Sequence, residues 1–104
     1  MLIAVIKKDQ VIVRNENGGF VKIMSKRGVV SANINGEGSL MAVAIANKGV
    51  EVFRIPEWKY FCIISARDVI DARWSGNDTV AISRANGTTE LRNVRTSHLV
   101  RIIR

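Results

Sequence analysis

The chain has 104 residues, 47% of them apolar, with one cysteine, one histidine and a formal charge of +7. That length suits one domain with one modest core, and a lone cysteine and a lone histidine exclude an internal disulfide and a cysteine- or histidine-built metal cluster within one chain. No apolar run reaches the roughly 18 residues a membrane span needs, while a pI near 10.3 favours anionic partners such as nucleic acid.

Leu2 to Ile6 opens the chain as a continuous apolar run, expected of a strand buried on both faces. It has no positive region before it and no cleavage site after it, so it reads as a strand and not as a signal peptide. A polar turn at Lys7-Lys8-Asp9-Gln10 leads to a strand at Val11 to Arg14. Asn15 to Gly19 is a strong turn signal, because Asn and Gly accept positive φ, and Phe20 to Met24 is a third strand.

From Val29 the order is fuller. Val30 to Ile34 alternates apolar and polar residues, Asn35-Gly36-Glu37-Gly38 turns, and Leu40 to Ala46 pairs with Val50 to Ile55 across Asn47-Lys48-Gly49. Leu40 to Ala46 has a helical alternative, but the run is short and Gly38 and Gly49 bracket it closely. Pro56 breaks the ladder, and Tyr60 to Ile64 follows. The last segment repeats this order with Ile70 to Trp74, Val80 to Ala85, Thr89 to Val94 and Leu99 to Ile103. The reading gives eleven strands and no helix. Ala4, Ala42 and Ala81 lie 38 and 39 residues apart, and Val13, Val52 and Leu91 lie 39 and 39 apart. A period near forty residues marks a repeat architecture.

Four strands per repeat, with a glycine turn before an apolar strand that has a small central residue, resembles the WD-repeat β-propellers. Gly36 to Val43 resembles that family's first hairpin, and Thr89 to Thr96 its third strand and following turn. The signature Trp-Asp pair is replaced by Arg14-Asn15, Phe53-Arg54 and Arg92-Asn93. The resemblance implies an all-β fold in one domain over residues 1–104. Residues 1–28 form a partial blade of three strands without the innermost one, and 29–66 and 67–104 form full blades. A β-trefoil is the alternative arrangement. Three blades cannot close a ring, since typical propellers have four to eight, so ring completion by self-association is expected, or by a strand from a different partner.

Catalytic constellations are absent from the sequence, and neither an enzyme nor a cofactor is expected. His98 falls in a turn, Cys62 lies mid-strand among Phe61, Ile63 and Ile64, and no phosphate-binding glycine loop with a following lysine occurs. Trp58 and Trp74 are candidates either for base stacking or for packing. In a propeller, alternate turns share one side of the disc. One side then has Lys7, Lys8, Lys26, Arg27, Lys48 and Arg67 against Asp9 and Asp68. The other has Glu16, Glu37, Glu57 and Asp78, with Lys59 and Arg95 nearby. The sequence thus predicts a non-enzymatic protein-interaction scaffold, or alternatively a polyanion-binding module using the basic side. A cytoplasmic setting without membrane contact is expected.

Overall fold

The computed structural model describes residues 1–96 and 98–104, which form eleven strands and no helix. The strands are β1 (Leu2–Lys7), β2 (Gln10–Asn15), β3 (Phe20–Ser25), β4 (Val29–Ile34), β5 (Leu40–Ile45), β6 (Gly49–Arg54), β7 (Lys59–Ser65), β8 (Val69–Trp74), β9 (Thr79–Arg84), β10 (Thr89–Asn93) and β11 (Leu99–Ile103). They stand where the apolar runs and turn signals place them. The helical alternative for Leu40 to Ala46 does not occur: β5 pairs with β4 on one side and β6 on the other.

Each strand pairs antiparallel with its neighbour in sequence, giving sheets in the orders β1-β2-β3, β4-β5-β6-β7 and β8-β9-β10-β11. The registers repeat. Ala4 faces Val13, Ala42 faces Val52 and Ala81 faces Leu91. The pairing slips once at the same place in each sheet's outer ladder, after Val13, Val52 and Leu91. Three separate meanders exclude the β-trefoil alternative, in which hairpins from all three repeats would share one barrel.

The sheets stack face to face, and each interface is an apolar cluster. Val11 and Val13 of the first sheet meet Met41, Val43, Ile45 and Phe53 of the second. The opposite face of the second sheet offers Leu40, Ala42, Ala44, Val50 and Val52 to Ala72, Val80 and Ile82 of the third. Side chains alternate across a strand, so the middle sheet has a partner for each face. That is why β5 is buried along its whole length. Each fully buried valine or leucine contributes about 1.5–3 kcal/mol. Trp58 and Trp74 pack against these two clusters, one each, so both are engaged in packing.

The stacking also identifies the position of β1. β1 packs on β4 as β5 packs on β8, and β4 itself packs on β8. β1 is therefore the counterpart of β5, a second strand, and no described strand stands beside it as β4 stands beside β5.

Candidate interaction surfaces

Antiparallel meanders send alternate turns to opposite sides of the stack, and hydrogen bonds, mostly from backbone N–H groups, join the turns of each side. On one side Lys26 N–H donates to Asp9 O (2.7 Å), Ala46 N–H to Gly28 O (2.9 Å), Asn47 N–H to Arg67 O (3.1 Å) and Ala85 N–H to Asp68 O (2.9 Å). This rim brings together the turns carrying Lys7, Lys8, Lys26, Arg27, Lys48 and Arg67. On the other side Glu37 N–H donates to Asn77 Oδ1 (3.1 Å) and Val94 N–H to Asp78 O (2.8 Å). Arg95 Nε donates to Asp78 there at 2.8 Å.

The six basic residues of the first rim divide by environment. Glu51, buried in the middle of β6, takes two of them. Lys48 Nζ donates to its Oε2 at 2.8 Å, and Lys26 Nζ lies 2.9 Å from Oε1 as an ion contact without directed hydrogen-bond geometry. Burial alone would raise the Glu51 pKa. The two ammonium groups outweigh burial and hold the carboxyl below its usual range. Lys26 Nζ also sits 4.9 Å from the Phe53 ring centroid. Lys7, Lys8, Arg27 and Arg67 are exposed and make no ion pair with described residues. The next repeat has a related network, in which Arg84 bonds Asp68 and Glu90, each at 2.6 Å. The sequence offered a signal for these networks: Glu51 and Glu90 are the lone acids of β6 and β10 and lie 39 residues apart, the spacing of the repeat.

A second surface is the outward face of the first sheet. Ile3, Val5, Phe20 and Ile23 are 51%, 46%, 63% and 50% exposed, whereas Met41 and Val43, the counterparts of Ile3 and Val5, are 0% exposed. The Arg14 guanidinium lies 4.1 Å from the Phe20 ring centroid and covers part of it. The third surface is a groove of about 550 Å³ beside the unpaired edge of β1, bounded by β1, β4 and β8.

Reactive chemistry is sparse. Among the described residues no three His, Cys, Asp or Glu side chains gather as a metal site. His98 is exposed. Cys62 is half-buried with Sγ donating to Val94 O at 3.4 Å, and burial pushes its thiol pKa up, away from the reactive thiolate. No described helix is long and apolar enough to cross a membrane.

No family model matches the sequence and no curated protein matches it either. A solved structure does match in fold: the C-terminal WD40 domain of Sif2, with a TM-score of 0.69 over 91% of this chain at 11% identity. The fold is that of a WD-repeat β-propeller segment. The chain covers 28% of the length of that solved chain. In propeller terms each sheet is a blade, β4 and β8 are innermost strands facing the axis, and β3, β7 and β11 are outermost. The positions of the absent Trp-Asp pairs lie at the ends of the third strands β2, β6 and β10. There Phe53 packs into the first interface, and the Arg54 guanidinium sits 4.6 Å from the Phe61 ring centroid.

Proposed function

We propose that the chain is a non-enzymatic protein-interaction scaffold in which copies associate head to tail and close a propeller ring. The observation that carries this reading is the apolar outward face of the first blade. It repeats the pattern that the second blade buries against the first, yet it has no partner among the described residues. The complementary surface is the far face of the third blade, where Ala81 and Leu91 form a cross-strand pair. They occupy the positions at which Ala42 and Val52 receive the third blade. Two copies make six blades, within the usual range of four to eight, and three make more than that range, so the expected ring has two chains. An intracellular setting goes with this reading, since the lone thiol Cys62 needs no oxidising compartment. Val5→Glu puts a charge at the centre of the contact. Sedimentation at micromolar concentration is expected to show the parent chain as a closed assembly and Val5→Glu as single chains. Indistinguishable masses for the two proteins would refute the contact.

A second reading is favoured by the rim of basic turns, where Lys7, Lys8, Arg27 and Arg67 retain free charge. Such a rim suits the backbone of a nucleic acid, without reading its sequence. Lys8→Glu with Arg27→Glu is then expected to weaken oligonucleotide binding and flatten its salt dependence. Absence of binding at about 50 mM salt, where phosphate contacts are strong, would end this reading.

A further inference from the structure

The second strands of the other two blades, β5 and β9, are paired along both edges, but β1 is paired only with β2. Its inner edge presents a row of unpaired backbone N–H and C=O groups to the 550 Å³ groove. We propose that this groove binds an extended segment of a partner protein, which adds to β1 as the innermost strand of the first blade. The segment carries, in order, an apolar residue, a hydrogen-bond acceptor, alanine or glycine, a hydrogen-bond donor and an apolar residue. The proposal deepens the scaffold reading by naming the chemistry of a partner; the grip on Ala32 does not depend on the ring, while the small central residue suits the side that the ring would cover.

The pattern comes from how the chain's own inner strands hold one another. Ser31 and Asn33 of β4 flank Ala32 and grip the backbone of Ala72 in β8. Ala72 N–H is shared between Ser31 Oγ at 3.2 Å and its neighbour Asp71 Oδ1 at 2.9 Å, and Asn33 Nδ2 donates to Ala72 O at 2.7 Å. Trp74 Nε1 donates back to Asn33 O at 2.9 Å. Ala72 must be small, because it is 0% exposed between two sheets. In the same registers β8 repeats the order with Asp71, Ala72 and Arg73, again acceptor, small residue, donor. Ala32 is the counterpart of Ala72, and no described side chain reaches its backbone. A strand in the groove supplies that grip through its own acceptor and donor, while its backbone completes the ladder on β1.

The groove walls favour a polypeptide over a polyanion. Ala4, Ile6, Val30 and Ile34 line it with apolar surface, and among the described residues its only charges are Asp71 and Arg73. Those two are joined to each other, Arg73 Nε to Asp71 Oδ2, at 2.7 Å. The groove therefore has no net charge to attract phosphate, in contrast to the basic rim.

The test uses the full chain and a dye-labelled synthetic peptide with the sequence of residues 27–36. Fluorescence anisotropy is expected to show saturable binding. Replacing the peptide's Ser31 and Asn33 by alanine is expected to weaken it at least tenfold, and Ile6→Lys in the chain to do the same. Hydrogen exchange is expected to slow at the amides of β1. The peptide variants keep the proposal testable should Ile6→Lys fail to fold. Equal affinity for a scrambled peptide, no saturation, or protection of β3 or β11 in place of β1 would overturn it. Displacement of the peptide by an oligonucleotide would also overturn it. Native mass in the same samples separates the two ideas: a ring that ignores the peptide removes the groove proposal only, and a monomer that binds it removes the ring only.

Discussion

Strands β1 and β5 share Leu, Ala and Val at their first, third and fourth positions, Leu-Ile-Ala-Val-Ile-Lys and Leu-Met-Ala-Val-Ala-Ile, and sit at the same place in successive blades. β5 is buried throughout, while no residue of β1 is fully buried. The difference lies in what surrounds them. β5 has strands on both edges and a blade on each face; β1 has one strand and one blade. Strand formation is thus encoded locally, by apolar runs between glycine and asparagine turns, and burial is encoded by position in the stack. The same contrast marks the ends of the chain: most of the exposed large apolar residues lie on β1, β3 and β11, with Tyr60, Ile63 and Ile70 on β7 and β8 and none on β5 or β6.

The sharpest test of this contrast sets two glycines against each other. Gly49 opens β6 at φ 145°, and an added Cβ would lie 2.1 Å from Ile64 O and 2.9 Å from Ala66 N. Gly18, at φ 83°, has nothing within 4 Å of that position. Gly49→Ala is expected to lose about 4 kcal/mol in urea unfolding, from backbone strain and overpacking together. Gly18→Ala is expected to lose about 1–2 kcal/mol from its left-handed backbone alone. Equal losses would break the claim that the middle blade is the packed one.

Next in size is the pair Met41→Ala and Ile3→Ala, at matching positions. The first empties a fully buried site and is expected to cost about 2–5 kcal/mol. The second is expected to change single-chain stability by less than about 1 kcal/mol, and to act mainly on the proposed ring, read as a rise in the dissociation constant of the two-chain particle.

A smaller effect separates the acid networks from the free rim. Glu51 has a lowered folded-state pKa, so its contribution is fully present above the unfolded value. It is lost as pH falls through the folded one. Thermal melts of the parent chain are expected to drop below about pH 4, and Glu51→Gln to flatten part of that drop. An identical acid limb in the variant would remove Glu51 from the account. Smallest of all, Lys8→Glu with Arg27→Glu is expected to leave stability within about 0.5 kcal/mol, because neither side chain makes an ion pair with a described residue.

Much of this fold was legible from the residues. The eleven strands follow from apolar runs and turns, and the repeat follows from Ala4, Ala42 and Ala81. The grouping of the basic turns followed from simple alternation of turns. Less legible was how those turns are used. Lys26 and Lys48 looked equivalent to Lys8 and Arg27, yet they neutralise Glu51, because the stacking brings Lys26 to a residue 25 positions away. The grip of Ser31 and Asn33 on Ala72 was likewise invisible. It joins different repeats across an interface whose geometry no sequence spacing reports.

The central claim is that the outward face of the first blade is an interface awaiting a second copy. Light scattering on the purified chain, followed through serial dilution from micromolar concentration, tests it most directly. The account predicts a particle of twice the 11.5 kDa chain mass that dissociates only on dilution. A stable particle of 11.5 kDa at every concentration would contradict it.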